Sequence, residues 1–383
     1  MSQALFAPAG LEGVVVGPTR LSNVEGKIGR LTYYGYDIHD LAPNAHFEEV
    51  VYLLHFGELP TRSQLDGLRA KLAEHRDLPP AVVAMMKSLP KDSWPMDVLR
   101  TSISMLSQFE PHNHDGAHTS DEDAATKLIA KTPTIVAAWD RVRRGLEPVP
   151  PRAEYDAAAN FLWMRTGEEP HGVAVKALDM YLVLHCDHSF NASTFAARCT
   201  ASTRADIYAA VTTAVATLEG NLHGGAPSEV MHMLEGIGTK DKVEPYVREI
   251  LRRGERVMGI GHREYKVRDP RAQHLEAQAK ALGIANGDTH WYDLAVTLEQ
   301  TAVRVLQEEK PDRSLYANVD FYSAPMLSSL GIPSDEFTCM FACGRMVGWT
   351  AHVLEQLAHN RIFRPQAEYT GPTDQRWVPI DLR

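Results

Sequence analysis

The chain has 383 residues, 44% hydrophobic and 23% charged, with a formal net charge of -10. That is the balance of a globule with a substantial core, in one large domain or two unequal ones, and its acidity argues against a general nucleic-acid binder. It also excludes an ordinary transmembrane protein, because the longest apolar run, Gly172 to Leu184, is interrupted by Lys176 and Asp179 and falls short of the ~20 residues a bilayer requires.

No Lys or Arg precedes Arg20, so neither a secretory nor a mitochondrial leader is expected, and cytoplasmic residence follows. The first forty residues suggest a small sheet or hairpin: valines between Gly13 and Gly17, a Glu25-Gly26 turn, and Leu31 to Tyr34 before Gly35. Helical periodicity then takes over. The polar segment Glu110 to Asp123 reads as a surface loop, and its His112, His114 and His118 superficially resemble metal ligands. Glu147 to Arg152, with three prolines, reads as another connection.

His185-Cys186-Asp187-His188-Ser189-Phe190-Asn191 also allows a metal reading, since imidazole and carboxylate are common ligands. A helix is predicted from the apolar face Ile207, Val211, Ala214, Val215 and Leu218, opened by Thr203 with Asp206 three residues on and closed by Gly220. In Asn221-Leu222-His223-Gly224-Gly225-Ala226-Pro227-Ser228-Glu229, a loop enters a helix whose first turn suits Pro227 and Glu229. A histidine in that place is biased toward the neutral form, a donor to a developing enolate oxygen.

Arg248 to Arg271 holds eight basic residues against four acidic ones. It is either a solvated helix face or a seat for an anionic small molecule. Within it, Gly259-Ile260-Gly261-His262 lacks the third glycine of a dinucleotide fingerprint. Its glycines would instead let backbone amides face a ligand, with Lys266 and the arginines beside them. Another helical stripe runs through Trp291, Leu294, Ala295, Leu298, Ala302, Val305 and Leu306. Asn318-Val319-Asp320-Phe321-Tyr322-Ser323 then sets a carboxylate among apolar and aromatic groups, where its pKa rises into the range of a general base. Arg345 sits in an apolar helical stretch and demands either an internal carboxylate or an anionic ligand. Arg364 falls where a helix gives way to a proline-stopped tail. The four cysteines show no disulfide or zinc spacing, and reduced thiols are expected.

In their order and flanks these segments resemble the citrate synthase family, and the resemblance runs from Gly10-Leu11-Glu12-Gly13-Val14-Val15 through Tyr34-Gly35-Tyr36-Asp37-Ile38 to Arg364-Pro365-Gln366-Ala367-Glu368-Tyr369. It implies a mainly α, two-domain helical fold with a small N-terminal β element, a large domain of 1-224 plus 332-383, and a small domain of 225-331. It also implies a homodimer with shared active sites. By the same resemblance His223, His262 and Asp320 are catalytic, while His188, Asn191, Arg271, Arg345 and Arg364 hold oxaloacetate. Gly259, Ile260, Gly261 and Lys266 fall on the coenzyme A side. The thioester is a co-substrate, and neither a permanent cofactor nor a metal is implied. The expected reaction is condensation of acetyl-CoA with oxaloacetate and hydrolysis of the citryl thioester. 2-Methylcitrate synthase, which takes propionyl-CoA, is the near alternative, because one methylene discriminates by only ~1 to 3 kcal/mol. A metal-dependent hydrolase or a non-catalytic helical scaffold is the alternative outside the family.

Overall fold

A computed structural model describes residues 6-110, 121-309 and 315-383. Three short antiparallel strands, β1 (Ser22–Glu25), β2 (Arg30–Tyr33) and β3 (Tyr36–Asp37), form a sheet in the order β1-β2-β3, with Ser22 opposite Tyr33 and Tyr33 opposite Tyr36. The expected hairpin is therefore present. The Gly13–Gly17 valines lie outside it in an extended lead with Val14 and Val15 exposed, since β-branched residues without a partner strand have no ladder to join.

Helices follow: α1 (Ile38–Asn44), α2 (Phe47–Phe56), α3 (Arg62–Glu74), α4 (Pro80–Ser88), α5 (Pro95–Leu106), α6 (Asp121–Arg143), α7 (Ala157–Thr166) and α8 (Gly172–His185). Then come α9 (Ala192–Ser202), α10 (Ile207–Leu218), α11 (Ala226–Ile237), α12 (Val243–Arg252), α13 (Ala272–Asn286), α14 (His290–Glu309), α15 (Val319–Ser329) and α16 (Phe337–Ala358). The fold is mainly α, as expected.

Local signals set several of these ends. Asp206 caps α10 by accepting from Ala209 N–H at 2.9 Å. Thr203, the expected opener, instead closes α9, its hydroxyl donating to Thr200 O. Pro227 and Glu229 occupy the first turn of α11. The loop expected over Glu110 to Asp123 lies largely outside the described residues, His112, His114 and His118 included, and its last residues already belong to α6.

The core includes α16 and the C-terminal part of α8, Ala177 to His185, which are buried almost all round and so lack a polar face. Glycine makes their approach possible. A Cβ at Gly344 would stand 2.9 Å from His185 Cβ, and one at Gly348 would stand 2.3 Å from Cys186 O, to which Gly348 N–H donates. α13 packs on both α8 and α15. Where the chain enters α11 and where it returns to α16 the two passages are tied: Thr338 donates its hydroxyl to Gly224 O at 2.9 Å and Ser228 to Ser334 O at 2.7 Å. Buried Arg165 on α7 donates to Gly331 O.

Candidate active site

Asp320 lies in the first turn of α15, whose N-cap Asn318 accepts from Asp320 N–H at 3.0 Å. The residue is partly exposed, but its Oδ1 is sealed and has no hydrogen-bond partner among the described residues. Burial pushes this carboxyl up to about 7, opposed by the Arg271 charge and assisted by Asp269. A carboxylate so placed is poised between holding and releasing a proton near neutrality.

His223 stands in the loop that leads into α11. Its Nε2 lies 3.3 Å from Ser193 N and 2.7 Å from Ser193 Oγ. A main-chain N–H can only donate, so Nε2 accepts and the proton of the neutral ring sits on Nδ1. Burial, with the Arg345 charge, holds this imidazole down at about 4, keeping it neutral at physiological pH. Ser193 Oγ accepts from Trp349 Nε1–H at 3.0 Å, and its single proton faces two acceptors, Asn191 Oδ1 at 2.8 Å and His223 Nε2 at 2.7 Å.

His262 shows the opposite arrangement. Its Nδ1 accepts from the main-chain N–H groups of Glu264 at 3.0 Å and Tyr265 at 3.1 Å, which leaves the proton on Nε2. Burial lowers this ring also, to about 4, with Asp269 opposing and Arg271 and Lys266 assisting. The two imidazoles are thus neutral donors through different nitrogens, and neither donor nitrogen has a protein partner among the described residues.

Around them the structure gathers His188, Arg271 and Arg345. The His188 ring is edge-on to His262 at 5.6 Å, and its Nε2 lies 3.1 Å from Tyr265 Oη. Burial first, then the charges of Arg271, His262, Arg345 and His223, holds His188 well below its ordinary pKa, and the Phe341 ring links His223, at 6.3 Å, to the Arg345 guanidinium, at 4.8 Å. Arg271 is buried and forked onto Asp269, Nε to Oδ1 at 3.0 Å and Nη2 to Oδ2 at 2.8 Å. Asp269 Oδ2 also accepts Val319 N–H at 3.2 Å, so one carboxylate joins the starts of α13 and α15.

Arg345 lies on α16, 1% exposed, with its guanidinium 4.8 Å over the Phe341 ring. Its Nε donates to His185 O at 2.8 Å, and no carboxylate lies within ion-pair distance of it among the described residues. Burial lowers its pKa, partly offset by more distant Asp187. Of the two partners expected for this residue, the internal carboxylate is not the one found.

The remaining expected residues are placed less directly. Asn191 caps α9, its Oδ1 accepting Thr194 N–H at 3.1 Å and its Nδ2 donating to Thr194 Oγ1 at 2.9 Å. It acts on the site through Ser193, and its amide is committed within the loop. Gly259 and Gly261 have φ of +74° and +102°, and a Cβ on Gly259 would meet Phe321 at 2.9 Å. Gly261 N–H donates to Tyr316 O, Asn318 N–H to Gly259 O, and Ile260 bridges Ala317. This pairing ties the His262 loop to the turn that presents Asp320. Lys266 is exposed, with Nζ folded onto Arg263 O at 3.0 Å. Arg364 is exposed, and among the described residues its side chain bonds only to Pro365 O.

The first half of the basic segment is a neutralised helix face: Arg248 pairs with Glu244 and Glu308, and Arg252 with Glu249. The His185-to-His188 cluster also disperses. His185 turns Nδ1 to Tyr181 O at 2.7 Å, while Asp187 accepts from Ser22 Oγ at 2.6 Å and from His352 Nε2 at 3.2 Å. Sequence reasoning missed Tyr265, Ser193 and Trp349 as site residues. The only available signal for Ser193 was its position beside the cap Asn191.

The model of the family described as "Citrate synthase, C-terminal domain" matches residues 10–366. The chain belongs to the citrate synthase family. A citrate synthase of Haloferax volcanii is 47% identical over 98% of this chain and 98% of its own. A 2-methylcitrate synthase of Shewanella oneidensis is 38% identical over 98% of each. Among solved structures of the family, citrate synthase of Thermoplasma acidophilum in a ternary complex with carboxymethyl coenzyme A and oxaloacetate matches with a TM-score of 0.89 at 30% identity. That match covers 97% of this chain and 98% of the other.

Proposed function

We propose how this member of the citrate synthase family condenses acetyl-CoA with oxaloacetate and hydrolyses the citryl thioester to citrate and coenzyme A. Asp320 takes a proton from the methyl carbon of the thioester. His223 donates from Nδ1 to the thioester oxygen as it becomes an enolate, without holding a full charge that would arrest it there. His262 donates from Nε2 to the oxaloacetate ketone and passes that proton over as the new carbon-carbon bond forms. Water then cleaves the thioester.

The observation that carries this reading is the pairing of a carboxyl near pKa 7 with two neutral imidazoles whose donor nitrogens are set by main-chain N–H groups. Oxaloacetate brings two carboxylates, which suit Arg345, without an ionic partner among the described residues, and Arg271 with His188. Residues 259–261 and Lys266 take the coenzyme A side. Asn191 supports the oxaloacetate pocket from behind Ser193.

We further propose two lobes, 1-224 with 332-383 and 225-331, with the site between them, and a homodimer in which Arg364 completes the partner's site. Exposed apolar residues on the same tail, Ile362 at 58% and Trp377 at 78%, support its lying against another subunit. No helix of the described residues is long and apolar enough to cross a membrane, and we place the enzyme in the cytoplasm. Thiol release with oxaloacetate and either acetyl-CoA or propionyl-CoA, with and without a chelator, tests the reading. Acetyl-CoA is expected to be preferred, with no effect of the chelator. Propionyl-CoA preference would shift the assignment to 2-methylcitrate synthesis, and chelator inhibition would remove it.

A further inference from the structure

The turn between β1 and β2 touches the loop that carries His262. Lys266 N–H donates to Gly26 O at 2.9 Å. A Cβ on Gly26 would stand 2.1 Å from Glu264 O, and one on Gly29 would stand 2.6 Å from Val267 Cγ2. The same stretch of main chain that meets Gly26 fixes the His262 tautomer through Glu264 and Tyr265 N–H, and it aims Tyr265 Oη at His188. The hairpin is in turn fastened within its own proposed lobe, since Ser22 Oγ donates to Asp187 Oδ2 at 2.6 Å and Tyr33 Oη donates to Asp187 O at 3.1 Å.

We propose that the Gly26–Gly29 turn is the seat on which the His262–Arg268 loop docks, and that Gly26 is a positioning residue for His262. The requirement is for the missing side chain. Gly26 is not among the glycines with positive φ, so alanine there is compatible with the turn itself, and its cost falls on the approach of Glu264 O. A docked loop is the arrangement in which His188, His262 and Arg271 face one ligand together. Weakening it lowers the population of the binding-competent state and raises the apparent KM for oxaloacetate in proportion.

This inference rests on the function proposed above, and the two fail separately: wild-type protein inactive in condensation removes that reading, whereas active wild type with an unaffected Gly26→Ala removes this one. In Gly26→Ala the oxaloacetate KM is expected to rise by about 10-fold or more, while the ligand-free melting temperature stays at the wild-type value. A purely structural role would instead lower the melting temperature and leave KM alone. Trypsin supplies a second readout, because Arg263 and Lys266 are exposed on the loop. Oxaloacetate is expected to slow cleavage there in wild type and to do so poorly in the variant. If Gly26→Ala does not fold, Val267→Ala, which trims the opposite side of the contact, is expected to raise KM about threefold. Unchanged KM and unchanged tryptic protection in folded Gly26→Ala, or an unchanged KM in Val267→Ala where only that variant folds, would overturn the proposal.

Discussion

Arg345 Nε donates to the carbonyl oxygen of His185 at 2.8 Å, and this is the guanidinium's one hydrogen bond to the described protein. A buried cation held so sparingly is costly until an anion arrives. Arg345→Met is therefore expected to leave thermal stability equal or higher while weakening oxaloacetate binding by about 2–5 kcal/mol, roughly 30- to 5,000-fold. Titration calorimetry and a melting curve without ligand check both halves. Undiminished affinity would mean that Arg345 does not hold the substrate.

The Asp320 carboxyl, pushed up to about 7 by burial, must be ionised to act as a base. The turnover number is expected to fall as pH drops through about 7, and Asp320→Asn to lose roughly 10²-fold or more above that pH while still binding oxaloacetate. The stability sign is opposite. A carboxyl raised from 3.8 in the fold contributes stability that is fully present below its unfolded pKa and lost as pH rises through about 7. Asp320→Asn should therefore raise the melting temperature at pH 8, by roughly 1–3 °C. Scanning calorimetry at pH 5 and pH 8 reads this, with the gain larger at pH 8.

Ser193 serves His223 twice, and only one service depends on its side chain. Ser193→Ala keeps the N–H at 3.3 Å but loses the hydroxyl at 2.7 Å, along with Trp349's acceptor. Turnover should drop about 10-fold with the oxaloacetate KM little changed, as for loss of one supporting hydrogen bond of roughly 1.4 kcal/mol. Steady-state kinetics separate the two constants, and a change confined to KM would contradict the role given to Ser193.

If Arg364 enters the partner's site, Arg364→Ala and Asp320→Asn subunits, each nearly inactive alone, should complement when unfolded and reassembled together. In a mixed dimer one site then combines an intact Asp320 with an intact Arg364, and random pairing restores at most about a quarter of wild-type activity. Activity no greater than the separate variants, in samples shown to contain mixed dimers, would assign Arg364 to its own subunit.

Periodic and local signals were legible in the sequence. The α14 stripe from Trp291 to Leu306 lies within His290–Glu309, and Pro227 opens α11. The Thr203 error came from two candidate caps three residues apart, a spacing that fits either the end of α9 or the start of α10. Charge counting over Arg248 to Arg271 could not see partners such as Glu308 and Glu299, which arrive from α14. The same limit hid Tyr265 and Trp349. Tyr265 meets His188, 77 positions away, and Trp349 meets Ser193, 156 positions away, and neither bond leaves a local pattern. Arg364 bonds, among the described residues, only to Pro365 O, and a site shared between subunits, as proposed, would account for its standing apart within one chain.

The protons of the His223 and His262 rings are placed by main-chain amides, at Ser193 for one ring and at Glu264 and Tyr265 for the other. This makes the acid-base chemistry unusually tolerant of genetic change at those positions. Every amino acid except proline brings the same N–H, so drift in the side chains of residues 193, 264 and 265 can retune rate and affinity without moving either proton to the wrong nitrogen. What selection must guard is the path of the chain.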